Sequence, residues 1–495
     1  MRRPLLDLSA QLLPVLSQLI ERIFLTGLLV QRLGVGQFER WSLITATVAL
    51  LSMVDLGTQI TFSNRMSRAA HRGDVDTAVA IFRQSNMIFA LLGAIVLGAT
   101  LLFASVGPLQ YWLGLNPPLD QSERVVALSL GGSMAIKLTM TNASGVYRAM
   151  MAFGRGTMIV TGADLLRIFA GIAALILTRS MEALAIVMTL ATLLAFVIII
   201  PMDLARRFTR FRWRLSWPTS LTTHRTLRES LLFATGFLPS IVLTQIPVMM
   251  IGSRAASGVL ASYVLLRTLS NVIRTLSQKV TFIAAMELSR LETQARHIEL
   301  DASYRRLAAL IAVTSGIACA LVWSWGALLL HWWIGSATLF DPVLLAVMLA
   351  PLVLVPGTQL NFPLLTYGHR PESFATAVIA QSVVATLLAL LLPVQSIALR
   401  LTLALSLAEI LVFAPIIAVA ARRMIGNAVS AVAVPNLALA LSAAAATAAL
   451  SYAVHAVSAG IAGLLLALAA TVIAGAPVMY FLVRRLLRVK DLAYG

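Results

Sequence analysis

The sequence predicts an all-α polytopic membrane protein, and three observations carry that prediction. Apolar runs of about 20 residues, the length of helix that crosses a hydrocarbon core, recur from one end of the chain to the other. Of the 495 residues 59% are apolar and only 12% charged, with a mean hydropathy of +0.89, a balance outside that of soluble domains. Basic residues concentrate in alternate connections, the positive-inside pattern.

About fourteen transmembrane helices are expected, near 9–30, 41–62, 84–106, 125–146, 157–178, 182–201, 231–252, 259–280, 309–331, 343–365, 373–393, 397–420, 436–456 and 460–483. With the N-terminus inside, cytoplasmic segments hold 26 of the 38 Lys and Arg, and the outer connections hold six: Arg32, Arg40, Arg124, Arg179, Arg254 and Arg400. Both termini are therefore assigned to the cytoplasm. The formal charge of +18 follows from topology, and no nucleic-acid partner is expected.

In the first helix Arg2 and Arg3 precede the apolar run, but no small-residue cleavage site follows and Glu21-Arg22 interrupts it, so it is read as a retained anchor. The link at 202–230 is Arg-rich and holds Phe211, Trp213 and Trp217. It reads either as an amphipathic segment at the membrane surface or as a solvated topology determinant. It divides an N-terminal lobe, 1–201, from a C-terminal lobe, 231–420; two further helices, 436–483, and a basic tail, 484–495, follow. A faint internal echo supports this boundary, since Arg32, Gly36 and Trp41 recur as Arg254, Gly258 and Tyr263 at a constant offset of 222 residues.

Six cations fall well inside predicted spans, Arg22, Lys137, Arg167, Arg267, Arg274 and Lys279, together with the acids Glu21, Asp164 and Glu409. A charge at mid-membrane costs about 2.5 to 3.5 kcal/mol on insertion scales and faces a partner or a water-filled cavity. Arg267, Asn271, Arg274 and Gln278 share one face of the eighth helix, as do Ser133, Lys137, Thr141, Ser144 and Arg148 on the fourth, and Gln11, Gln18 and Arg22 on the first. Buried acids are the alternative partners: Glu21 adjoins Arg22, Asp55 ends the second helix, Glu409 lies within the twelfth, and Asp164, one turn from Arg167, is its expected partner. Lys279 and Arg274 can snorkel to the interface. Arg22, Lys137 and Arg267 lack an acid one turn away, because Glu21 points about 100° from Arg22, and are assigned to a cavity with Arg274, Gln18 and Asn271. At an effective dielectric near 20, a charge pair at 4 Å is worth about 4 kcal/mol. A diphosphate thus offsets the insertion cost of the cations that hold it, and Arg offers its oxygens a planar fork.

The stretch VDLGTQITFSNRMSRAAHRGD, residues 54–74, preceded by RLGVGQFERWSL, residues 32–43, resembles the first two helices and inner loop of the polysaccharide-transporter branch of the MOP exporter superfamily. The most specific positions are Arg32, Leu33, Gly34, Phe38, Trp41, Asp55-Leu56-Gly57, Asn64 and Gly73-Asp74. MIGSRAASGVLASYVLLRTL, residues 250–269, resembles the counterpart between the seventh and eighth helices. The resemblance implies two six-helix lobes in a MATE/MOP-like arrangement around a cationic cavity of alternating access. It also implies flipping of undecaprenyl-diphosphate-linked oligosaccharide, an O-antigen or exopolysaccharide repeat unit, across the bacterial inner membrane; relatives flip lipid II. Arg22 and Arg267 fall where that family carries cavity arginines, with Lys137 a weaker match. The implied partners are the lipid-linked glycan, the bilayer, and polysaccharide polymerase and assembly proteins.

One departure concerns energy coupling. Related chains carry an acid late in the seventh helix, where this one has Gln245 and Pro247, so Asp55, Asp164 and Glu409 stand as substitute coupling acids. Membrane potential alone offers another drive, because outward movement of anionic cargo gains about 2.3 kcal/mol per charge per 100 mV. Prolines 14, 239, 247, 351, 356 and 363 interrupt the first, seventh and tenth helices and permit bending. In the tenth, Gly357, Gln359 and Asn361 are alternatively lining residues. The last two helices carry no Lys, Arg, Asp or Glu, and either pack peripherally or border an apolar groove for a prenyl tail.

Catalysis is not expected. The single Cys319 excludes a disulfide framework and a Cys-based metal site, the six histidines are scattered, and no nucleotide loop or nucleophile constellation occurs, so neither cofactor nor metal is predicted. Gly131-Gly132 reads as close helix packing. Two rival classes are weighed. A drug or cation exporter of the same superfamily calls for acids and aromatics in its cavity. A membrane-bound glycan polymerase or transferase calls for a sizeable outer loop, whereas the largest, near 107–124, offers only Asp120 and Glu123 as acids.

Overall fold

The computed structural model describes residues 13–52, 58–113, 115–217, 239, 243–367, 371–458, 460 and 462–471. Every regular element among them is helical. In chain order they are α1 (Leu13–Leu33), α2 (Val35–Leu51), α3 (Thr58–His71), α4 (Val75–Ser105), α5 (Gly107–Trp112), α6 (Gln121–Ala149), α7 (Phe153–Thr178), α8 (Met181–Arg207) and α9 (243–254). There follow α10 (Val259–Thr293), α11 (His297–Ile334), α12 (Pro342–Leu354), α13 (Thr358–Tyr367), α14 (Pro371–Leu391), α15 (Ile397–Ile425), α16 (Ala428–Val457) and α17 (Ala462–Thr471). Among the described residues eight are long and apolar enough to cross a membrane, and α12 with α13 is apolar enough as a pair but bent by 63° at its break, the shape of a broken span or a re-entrant loop. The chain is a multi-pass membrane protein.

Helix ends depart from the predicted spans for identifiable reasons. The second predicted helix, 41–62, is replaced by α2, which starts at Val35 because Gly34, at φ +84°, closes α1 against the Val30 carbonyl and re-aims the chain. The polar GQFERW segment is thus helical, which hydropathy does not report. The eighth and ninth, predicted to end at 280 and begin at 309, meet near 294–296 instead. There the helices run beyond their apolar stretches on i,i+3 and i,i+4 pairs, Glu287 with Arg290 and Asp301 with Arg305. The predicted 343–365 helix is interrupted between Leu354 and Thr358, where Pro356 lacks the amide a continuous helix needs.

The chain packs as two compact units, Met1–Ala261 and Ser262–Gly495. In the first, α6 packs against α3, α4 and α8, and α7 lies along α8. Phe82, Met140, Tyr147, Phe196 and Phe211 form a buried cluster. Phe211 and Trp213, beyond α8, set their rings edge-on against Phe82, so that part of the predicted link is tied to α4. A reciprocal cap starts α6: Asp120 accepts from the Glu123 amide at 2.7 Å and Glu123 from the Asp120 amide at 3.1 Å. Arg40 donates to both Glu123 oxygens and fixes α2 against that cap. In the second unit α11 and α16 form the most extensive helix pair, α12 packs against both, and α15 packs against α12 and α14.

Close approach of α11 and α16 depends on Gly316, where a Cβ would stand 2.3 Å from the Ala440 carbonyl oxygen. That backbone atom cannot rotate away. Gly316→Ala is expected to lower stability by about 1 to 3 kcal/mol, whereas Gly98→Ala, with open space around its Cβ, leaves it unchanged or slightly raised. Thermal unfolding of the two variants in detergent provides the comparison.

Intramembrane charges and the candidate substrate site

In the first unit four charges form an alternating chain across three helices. Arg167 on α7, only 7% exposed, donates to Glu21 of α1 at 2.7 Å. Asp164, one turn before it, accepts from Lys137 Nζ of α6 at 2.9 Å and lies 3.5 Å from Arg167 Nε. The two acids balance the two bases. Glu21 reaches α7 from a π-helical turn, Ile20–Leu25, whose extra residue turns the side chains about 100° from their α-helical azimuth. The expected Asp164–Arg167 pair is present at 3.5 Å; Arg167 makes a second, shorter bond to Glu21 and Asp164 a second to Lys137.

The second unit contains a parallel device. Arg274 of α10 grips Glu409 of α15 as a fork, Nη1 to Oε1 at 2.6 Å and Nη2 to Oε2 at 3.0 Å. Glu409 begins a π-helical turn, Glu409–Phe413. Arg274 therefore does not snorkel. Two turns earlier, the Arg267 guanidinium lies 5.6 Å from the centroid of the buried Tyr263 ring, within cation–π range. Asn271, between the two arginines, is half-buried.

Of the other residues singled out, Arg22 and Gln18 are exposed on α1. Asp55 and the Lys279 and Thr141 side chains lie outside the described residues. Much of the polar surface of α6 is engaged within the first unit. Ser133 pairs with Thr192 at 3.1 Å, Ser144 accepts from Gln59 at 3.4 Å, and Asn142 donates to Asn86 at 2.6 Å. At the break between α12 and α13, Gly357, Asn361, Tyr304 and Asn436 help line a cavity of about 210 Å³, with the Tyr304 hydroxyl donating to Asn361 at 2.7 Å. Gln359 is buried nearby, its Oε1 without a hydrogen-bond partner among the described residues. Two adjoining cavities, 360 and 430 Å³, run beside α16 and share Trp323 and Ala448. The first is lined almost wholly by apolar side chains, and the second ends at Ser451, Tyr452 and His455.

Among the described residues no group of three or more His, Cys, Asp or Glu is placed to hold a metal. At the level of sequence no family model matches the chain, and no curated protein matches it. Solved structures do. The fold is that of the MOP-superfamily transporters. The lipid II flippase MurJ in an inward closed conformation superposes with a TM-score of 0.69 at 9% identity, covering 96% of this chain and 100% of its own. An inward-facing multidrug-resistance MATE transporter gives 0.64 at 14% identity over 86% of this chain and 98% of its own. A MOP-superfamily transporter from Pyrococcus furiosus, for which reversed polarity of the binding pocket suggests a different function, gives 0.52 at 14% over 86% and 94%.

Breaking one partner of the Arg274–Glu409 fork strands the other charge among apolar helices. Glu409→Gln is expected to cost about 3 kcal/mol, and the double variant Arg274→Met with Glu409→Leu to recover most of it. A double-mutant cycle on the unfolding midpoint reads the coupling.

Proposed function

We propose that the chain is a flippase that moves prenyl-diphosphate-linked oligosaccharide, an O-antigen or exopolysaccharide repeat unit, from the cytoplasmic to the periplasmic leaflet of a bacterial inner membrane. The two lobes expected on either side of the 202–230 link alternate access, and the diphosphate sits in a cationic cavity. The observation that carries this reading is the full-length likeness to a lipid II flippase, 96% of this chain against 86% for the drug transporter. The surplus of cations in the spans supports it from the side of chemistry.

Lys137, Arg167 and Arg274 each engage a carboxylate, so their first role is to hold helices together. We assign Arg22 and Arg267, which fall where the family resemblance implies cavity arginines, to the diphosphate, and Gln18 and Asn271 to the glycan. The apolar cavities along α16 suit the prenyl tail, which is too long for a head-group site. Asp164 and Glu409, already ion-paired, couple transport only if a proton or sodium ion releases their cationic partners; Asp55 is the third candidate. A multidrug or cation exporter is the second reading, favoured by the MATE likeness.

Deletion of the gene is expected to cause accumulation of complete diphosphate-linked repeat units, measured by mass spectrometry of extracted prenyl lipids. Wild-type protein restores the normal level, and the Arg22→Ala, Arg267→Ala double variant, present in the membrane at wild-type amount, does not. Truncated glycans, or no accumulating lipid together with new sensitivity to cationic drugs, would overturn the proposal in favour of an assembly enzyme or an exporter. Flipping that persists when the potential is collapsed but the pH gradient is kept argues against a purely potential-driven cycle.

A further inference from the structure

The last turn of α8 contains a pocket that the transport reading does not use. Arg155, Ile199, Met202, Asp203, Arg206 and Arg207 line a cavity of about 330 Å³ on the first unit. Asp203 is already committed: it accepts from the Tyr147 hydroxyl at 2.6 Å and is ion-paired with Arg155, which fixes the Arg155 guanidinium at the cavity wall. Arg206 and Arg207 are exposed and make no salt bridge among the described residues. The lining therefore carries three arginines against one carboxylate, which acts on Arg155 and Arg207 together. Its depth follows from α8 itself. Val197, Ile198, Ile199 and Met202 are 40 to 56% exposed on a helix of hydropathy 2.9, and the apolar surface stops one turn before Arg206. That is where hydrocarbon gives way to headgroups.

We propose that this pocket binds the headgroup of an anionic glycerophospholipid, with the phosphodiester between Arg155, Arg206 and Arg207 and an acyl chain along Ile199 and Met202. The apolar wall on one side of the arginines distinguishes a lipid from a soluble phosphate, and the net charge of the lining distinguishes an anionic headgroup from a zwitterionic one. The site lies within one unit and does not depend on what the protein transports.

Native mass spectrometry of the full chain in mild detergent, titrated with phosphatidylglycerol or phosphatidylcholine, tests it. Phosphatidylglycerol is expected to be retained in preference. Retention falls about tenfold in Arg206→Ala, Arg207→Ala and survives in Arg206→Lys, Arg207→Lys. Arg422→Ala, Arg423→Ala, which removes equal charge from the end of α15, leaves retention unchanged. Should the alanine pair fail to fold, Met202→Glu places a carboxylate in the cavity and is expected to abolish retention. Equal retention of the two lipids, equal loss in the Arg422, Arg423 variant, or displacement by an equal concentration of inorganic phosphate would overturn the assignment.

Discussion

An ionised side chain among apolar helices has lost its hydration, and the organisation of both units follows from how that loss is made good. Insertion costs of about 2.5 to 3.5 kcal/mol per charge are too large to leave several cations unmatched in a chain of ordinary stability. The first unit answers with the chain Glu21, Arg167, Asp164, Lys137, which ties α1, α7 and α6 together. The second answers with the Arg274–Glu409 fork between α10 and α15. Because lipid tails are as apolar as leucine, such polar contacts and close small-residue packing, as at Gly316 and Ala440, replace the hydrophobic effect as the means of holding helices together.

Both devices use a π-helical turn. Glu21 and Glu409 each sit where one extra residue rotates the helix surface, and each meets an arginine on another helix. A π-turn leaves the intrahelical hydrogen bonds less regular and gives the helix a place to change its winding. Each acid thus ties an ion pair to a segment of irregular winding.

The sequence made the architecture legible because membrane insertion is governed by apolar length, and length is written directly in the residues. Spans such as 157–178 and 182–201 reappear as α7 and α8 with shifts of a few residues. What hydropathy could not report was helix that continues into water, as α10 and α11 do on their Glu287–Arg290 and Asp301–Arg305 pairs, or helix that stops inside an apolar run, as at Pro356. The charged residues and the acids available to them were legible, and so was the Asp164–Arg167 pair, but the remaining pairings were not. One-turn arithmetic finds Asp164 for Arg167 and cannot find Glu21, Glu409 or the Lys137–Asp164 contact, which join residues 27 to 146 positions apart. Gly34 was visible as part of a motif, yet its positive φ, which sets where α2 begins, is a property of the turn.

The proposed division of labour among the cations is the centre of the account: Lys137, Arg167 and Arg274 pair with carboxylates, and Arg22 and Arg267 are the residues proposed for cargo. The most direct test is equilibrium binding of a prenyl diphosphate, a prenyl monophosphate and a lipophilic cation to the purified protein. Binding strongest for the diphosphate, weaker for the monophosphate, absent for the cation and lost in Arg22→Ala, Arg267→Ala is the expected result. Binding of the cation in preference, or diphosphate affinity that the two substitutions leave intact, would contradict it.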